Sequence, residues 1–107
     1  MPIKAKKLES FQNQVLNKVK LIPQGKVVTY KLLAEVLNRP KAARAVGNAL
    51  NKNTCLVKIP CHRVVKSSGQ VGGYVAGSKK KLSLLKKEGI EIESGNKINL
   101  KRFLYQF

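Results

Sequence analysis

TYKLLAEVLNRPKAARAVGNALN, Thr29 to Asn51, holds two short segments of helical periodicity joined by Asn38-Arg39-Pro40. Thr29 is a good N-cap, because its hydroxyl accepts from an otherwise unpaired amide of the first turn. Leu32, Leu33, Val36 and Leu37 then recur at helical spacing. That segment stops before Pro40, whose ring disfavours helix in the residue ahead of it. Pro40 in turn suits the start of the next helix, PKAARAVGNALNKN, where a missing N–H costs nothing. Two helices joined so tightly have the outline of a helix-turn-helix. Ala42, Ala43, Ala45, Gly47 and Ala49 give the second a small surface, with Lys41 and Arg44 as the long side chains near its start. Such a face suits close approach to another surface, with Arg44 standing out as a probe. Tight packing against a second helix, with Arg44 solvated, explains the same residues equally well.

Upstream, Leu8, Phe11, Val15, Leu16, Val19 and Ile22 predict a helix from Leu8 to Ile22, with Ser10 as a cap and Pro23-Gln24-Gly25 ending it. KVVTY, Lys26 to Tyr30, is a brief strand or an extended lead-in. Downstream, TCLVKIPCHRVV (54–65) is rich in β formers and is broken by Pro60. SSGQVGGY (67–74) has the glycines of a hairpin or winged loop. Ser78 is predicted to cap a helix carrying Leu82, Leu84 and Leu85, closed by Gly89. IEIESGNKINL (90–100) alternates about a Ser-Gly-Asn turn and predicts a small hairpin, whereas KRFLYQF takes no assignment. The expected fold class is α+β: one domain over residues 1–107, a helix-turn-helix with a wing.

A chain of 107 residues suffices for one modest core. Charge is the outlier: 22 Lys and Arg face five acids, every one a Glu, for a net charge of +17. A field of that sign attracts polyanions, nucleic acid above all; a lysine-rich composition that keeps the protein soluble is the plainer reading. No apolar run approaches the roughly 20 residues of a membrane helix. MPIKAKKLES lacks the apolar centre of a signal peptide, so an intracellular, cytoplasmic protein is expected. Two cysteines are no disulfide framework. Cys55, Cys61 and His62 offer three zinc ligands at most, without C-x-x-C spacing, so no metal is expected.

The chemistry concentrates in IPCHRVV, Ile59 to Val65, which sets the only histidine beside Cys61. A cysteine of ordinary pKa is mostly thiol at neutral pH, and the thiolate is the nucleophile. His62 is a candidate base, and a third group orients such a base. With no Asp in the chain, that group is one of five glutamates, and Glu88 is best placed. Neighbours in an extended segment point to opposite faces, so His62 reaches the sulfur only through a bend or a water. Taken alone, a Cys-His pair is more often a buried structural thiol beside a surface histidine.

The order of IPQGKVVTYKLLAEVLNRPKAARAVGNAL, KIPCHRVV, SSGQVGGYVAG and KLSLLKKEG resembles the DNA-binding and active-site domain of the O6-alkylguanine–DNA alkyltransferases, over roughly residues 8 to 90. The resemblance implies that Cys61 accepts the alkyl group irreversibly, one turnover per protein. His62 would deprotonate it through a water, and Glu88 would hold His62. Asn53 matches the asparagine linking the recognition helix to the active-site segment. Arg44 matches the arginine that fills the stack where a nucleotide has flipped out, and Tyr30 the tyrosine that helps rotate it and contacts the base. Main-chain groups at Cys61, Val64 and Val75 match those that hydrogen-bond the extruded base, with Tyr74 and Ala76 in the pocket wall. The family's recognition helix lies in the minor groove, which gives Lys41, Ala42, Ala43 and Gly47, with Ser67 of the wing, as DNA contacts. The implied partner is double-stranded DNA carrying O6-alkylguanine, met by a nucleoid-associated monomer with no cofactor, no metal and no membrane.

Departures from the pattern carry expectations of their own. Full-length members have an additional N-terminal domain, and here the catalytic domain is expected alone. Thr54 and Leu56 stand where prolines are frequent, and Val75-Ala76 replaces a smaller pair. The replacement is expected to narrow the pocket, favouring O6-methylguanine over bulky adducts such as benzyl. Two competing functions remain in view. One is a lesion-binding relative that signals to other repair without transferring the group; such proteins typically carry tryptophan at the cysteine position, and this chain has Cys61 and no Trp. The other is a basic nucleic-acid-coating protein, which leaves IPCHRVV unexplained.

Overall fold

Ser10 and Thr29 start the first two helices of the computed structural model, which describes residues 10–56 and 58–107. Leu8, expected to open the first helix, lies outside the described residues. Helix α1 is Phe11–Val19, capped by the Ser10 hydroxyl accepting from the Asn13 amide at 3.1 Å. Strand β1, Val28–Thr29, leads directly into α2, Tyr30–Val36, and Thr29 Oγ1 accepts from the Leu32 amide at 3.0 Å. There follow α3 (Ala43–Asn51), a 3-10 turn (Cys61–Arg63), β2 (Val64–Val65), α4 (Ser78–Lys87) and α5 (Leu100–Phe103). This is a mixed fold of helices about one small sheet.

Several boundaries differ from the expectations. Helix α2 ends in a Schellman motif: Asn38 takes φ 61°, the Asn38 amide bonds the Glu35 carbonyl, and the Arg39 amide reaches Ala34. A turn closed by Ala42 N–H to Arg39 O then holds Pro40, so α3 begins at Ala43 rather than at Pro40. Proline's fixed φ fits the second position of that turn as well as it fits a helix start. Gly77, with φ 98°, occupies the N-cap position of α4, and Ser78 is the first helical residue, not the cap. Gly89 closes α4 as expected, with the Ile90 amide bonded to the Leu85 carbonyl. Of the described residues of TCLVKIPCHRVV only Val64 and Val65 form strand; the others described are loop and turn.

The sheet is two residues deep and divides the interior. β1 and β2 run parallel, Val28 opposite Val64 and Thr29 opposite Val65. Successive strand residues face opposite ways. Val28 and Val64 join Val15, Val19, Leu33, Val46 and Leu50 in one core, which also holds Cys61. Val27 and Val65 join Val71, Leu85, Ile90, Ile98 and Phe103 in the other. The unassigned tail is thereby explained: Val27 bridges Leu104, and α5 seats Phe103 in the second core. The two expected hairpins pair with each other. Gln70 bridges Lys97, and the Ile98 amide bonds the Gly69 carbonyl at 2.8 Å. Only glycine fits at 69, because φ is 91° and a Cβ there would lie 2.8 Å from the Ile98 carbonyl oxygen.

Candidate active site

The bend that the Cys61–His62 pair requires is present in the backbone. Pro60, at φ −80° and ψ 69°, makes an inverse γ-turn in which the Cys61 amide bonds the Ile59 carbonyl at 2.8 Å. The 3-10 turn follows at once, with the Arg63 amide on the Pro60 carbonyl at 3.0 Å. Cys61 and His62 are both buried as a result, rather than split between core and surface.

Asn53 ties this turn to the end of α3. Its amide nitrogen donates to Cys61 Sγ at 2.9 Å and to the Ile59 carbonyl at 3.0 Å, while its oxygen accepts from the Cys55 amide at 2.8 Å. Burial pushes the Cys61 thiol pKa up, and the Asn53 hydrogen bond and the Lys81 charge pull against it. His62 Nε2 lies 2.8 Å from Glu88 Oε2. A carboxylate only accepts, so Nε2 carries the proton and Nδ1 is the basic nitrogen. That Nδ1 is buried and has no hydrogen-bond partner. Burial lowers the His62 pKa against the raising effect of Glu88, so the ring is neutral at pH 7. The site therefore presents a screened thiol and a neutral imidazole with one free acceptor.

Two residues of this machinery were not foreseen. Arg63 closes on Glu88 through Nε at 2.9 Å and through its terminal nitrogen at 2.7 Å, and bonds the Ile22 carbonyl. Burial pushes the Glu88 pKa up, but the hydrogen bonds from Arg63 and His62 hold it down on balance. Lys81 is fully buried, with Nζ on the carbonyls of Val64 at 2.7 Å and Gly73 at 2.9 Å. Burial lowers its pKa to about 8. A lysine that ends a run of three, Lys79 to Lys81, gives no sequence signal of burial. Arg63 was legible in IPCHRVV, where it follows the histidine directly.

The remaining candidates divide by place. Tyr30 is half-buried at the start of α2, with Lys81 Nζ 5.8 Å above its ring and its pKa raised by burial and by the nearby Cys61. Tyr74 meets His62 edge to face at 6.3 Å between centroids. Tyr74 and Ala76 line a cavity of about 440 Å³ that also reaches Leu56, Pro60, His62 and Glu88. Val75 does not line it and is 46% exposed, so any narrowing falls to Ala76 alone. Val64, whose main chain is expected to meet the base, accepts at its carbonyl from Lys81. On α3, Lys41, Arg44 and Ala45 are exposed, while Ala42, Ala43 and Gly47 are partly covered. Ala49 is buried at 5%, against the expectation that it faces outward. Helical spacing aligns exposed Arg44 with Asn48 and Asn51, two polar neighbours that were not singled out. Ser67 is exposed in the turn that precedes Gly69, and Cys55 is exposed away from any base.

Residues 10–90 match the model of the 6-O-methylguanine DNA methyltransferase DNA-binding domain. The chain is 51% identical over 82 residues to the human methylated-DNA–protein-cysteine methyltransferase, covering 76% of this chain and 40% of that protein. Against the protein of the same name from Sulfolobus acidocaldarius it is 46% identical over 87 residues, covering 81% and 54%. The chain thus spans about half the length of these relatives. Among solved structures, S. pombe Atl1 bound to damaged DNA containing O6-carboxymethylguanine superposes with a TM-score of 0.82 at 32% identity, covering 91% of this chain and 95% of that one. Mycobacterium tuberculosis OGT in complex with DNA gives 0.72 at 39% identity, covering 75% and 50%.

Proposed function

The chain belongs to the 6-O-methylguanine DNA methyltransferase family, and from that premise we propose that it repairs DNA by moving the alkyl group of O6-alkylguanine onto Cys61, once per protein. The observation that carries this reading is the buried thiol of Cys61, held by Asn53 at 2.9 Å, next in sequence to a Glu88-held imidazole with a free Nδ1. His62 Nδ1 takes the thiol proton through a bridging water, and Glu88, held in place by Arg63, stabilises the imidazolium that results. The thiolate attacks the alkyl carbon, the S–C bond forms as the C–O6 bond breaks, and the electron pair leaves on the guanine. Tyr30 supplies the proton that the departing base needs, its raised pKa keeping it a phenol. No step calls for a metal or cofactor.

DNA is engaged as by a winged helix-turn-helix, with α3 as recognition helix in the minor groove and residues 67–74 as the wing. The exposed Arg44, beside the small Ala43, Ala45 and Gly47, fills the gap left by the flipped nucleotide. Lys41, Ala42 and Ser67 border that surface, and Tyr74, Ala76 and main-chain groups at Cys61, Val64 and Val75 receive the base. A net charge of +17 favours the encounter with DNA. One domain carries both binding and transfer, and it acts as a nucleoid-associated monomer.

A second reading rests on the fold match to Atl1, at a TM-score of 0.82 and 32% identity. On that reading the protein binds the lesion without transferring the group. Intact-protein mass and peptide mapping after incubation with duplex DNA carrying one O6-methylguanine separate the two. One methyl on Cys61, stopping at one per protein, supports repair; lesion-specific binding with no mass gain overturns it in favour of a sensor.

A further inference from the structure

Lys66 directly follows β2, and its backbone is pinned in the turn there. Its amide bonds the Gln70 carbonyl and its carbonyl accepts from the Gly69 amide, both at 2.9 Å. The side chain then lies across Gly72. A Cβ on Gly72 would stand 3.4 Å from Lys66 Cγ, 3.6 Å from Lys66 Cε and 3.8 Å from the Tyr30 hydroxyl. Glycine at 72, with φ 77°, thus leaves one gap that the lysine stem and the phenol share. The Lys66 residue is exposed, and its ammonium has no hydrogen-bond or ion-pair partner among the described residues. The charge that it does meet is a like one. Burial first, and the Lys66 charge with it, lowers the pKa of Lys81, whose Nζ stands 5.8 Å from the centre of the Tyr30 ring. Two cations thus stand near Tyr30 with no carboxylate paired to either, an arrangement that an incoming anion relieves.

We infer that Lys66 binds a phosphate flanking the flipped nucleotide, on the side of the opening marked by the Tyr30 hydroxyl. The inference rests on the lesion-recognition reading above and adds a phosphate subsite to it. On that reading the phenol meets the extruded base, while the sugar and phosphates of the same nucleotide stay outside with the strand. A cation anchored beside the phenol faces those phosphates once the nucleotide has turned out, and not before. Lys66 therefore stabilises the flipped state and leaves the transfer itself to Cys61, His62 and Tyr30.

The test pairs Lys66→Gln with duplexes in which the phosphate on either side of one O6-methylguanine is replaced, one at a time, by a neutral methylphosphonate. Lys66→Gln should weaken binding to the lesion duplex about fivefold, the scale of one partly exposed ion pair. Binding to an undamaged duplex should stay within about twofold, because a single charge away from the groove is largely screened there. One of the two methylphosphonates should cost the unaltered protein the same factor and the variant nothing, since either change alone removes the pair. Transfer from free O6-methylguanine base, which carries no phosphate, should be equal for the two proteins. Additive losses at both positions overturn the inference, as does an equal loss on undamaged DNA. A slower reaction of the variant with the free base also overturns it, placing the lysine charge in the chemistry at Tyr30 instead. If the unaltered protein binds the lesion but transfers nothing, the repair reading fails, and the binding cycle still decides this one.

Discussion

Asn53 donates both hydrogens of one amide nitrogen across the active-site turn, to Cys61 Sγ at 2.9 Å and to the Ile59 carbonyl at 3.0 Å. One side chain thus shapes the turn and stabilises the anion that forms within it. A hydrogen bond to a charged group contributes about 1.5–3 kcal/mol. Asn53→Ala should therefore slow transfer about 10- to 100-fold and move thiol reactivity to higher pH. The pH dependence of Cys61 alkylation by iodoacetamide checks this, and an unmoved profile would leave Asn53 a purely structural role.

His62 and Glu88 make the site sensitive to acid. The His62 pKa lies below its ordinary 6.5 because of burial. Between the folded and unfolded values the unfolded chain holds more protons, so stability is lost as pH falls through that window. Glu88, held below its ordinary pKa by Arg63 and His62, acts in the same direction at lower pH. Transfer should be flat near pH 7 and fall below 6.5 as Nδ1 becomes protonated. Glu88→Gln removes a group that raises the histidine pKa, so the inflection should move further down while the plateau rate drops about 100-fold, the low end for a positioned base. Rate and melting temperature across pH 5 to 8 test both effects.

Local caps were the legible parts of the fold, apart from Ser78, which is the first helical residue and not a cap. Ser10, Thr29 and Gly89 act locally, and each sits where the sequence places it, as caps are decided by the few residues around them. The parallel pairing of Val28 with Val64 was not legible, because nothing in either dipeptide names a partner 36 positions away. The 90–100 hairpin was legible, with Glu93 bridging Lys97 about its turn, but its partnership with residues 69–71 was hidden for the same reason. The pairing of His62 with Glu88 was legible from the motif and the helix end, and the two meet at 2.8 Å. Lys81 was missed because burial of a lysine depends on two carbonyls supplied by β2 and by the loop at Gly73.

Those two carbonyls make Lys81 a tether between β2 and the glycine loop, and its ammonium also favours the Cys61 thiolate. Its pKa falls from 10.5 to about 8. Between those values the unfolded chain keeps a proton that the folded chain has released, so this group's contribution to stability rises with pH. The unaltered protein should gain stability across pH 8 to 10.5 relative to Lys81→Met, as read by urea unfolding at each pH. Lys81→Met should also shift iodoacetamide reactivity of Cys61 to higher pH, and Lys81→Arg should partly restore it.

Arg44 is exposed on α3 and serves, on the proposed reading, only where a base must leave a stack. Unstacking and unpairing cost a few kcal/mol in duplex DNA and less at a mismatch or in a single strand. Arg44→Ala should then slow transfer from a paired O6-methylguanine by about 10- to 100-fold, with a much smaller effect on the same lesion in single-stranded DNA. Equal loss on both substrates would make Arg44 a phosphate contact and nothing more.

On the proposed reading, the salt dependence of DNA binding reports how many phosphates the basic surface of this +17 chain neutralises. If four to six phosphates are neutralised, the slope of log K against log salt should be about −4 to −5 on duplex DNA. Lys41→Gln, at the start of the recognition surface, should weaken binding to every sequence alike and make the slope about one unit shallower. Base preference should be slight, since the minor groove distinguishes little beyond A·T from G·C. Fluorescence anisotropy on undamaged duplexes from 50 to 300 mM salt (about a sixfold range, wide enough for such slopes) measures both. A slope near zero would place the DNA footprint away from the basic surface, and with it the assignment of α3 to the groove would fall.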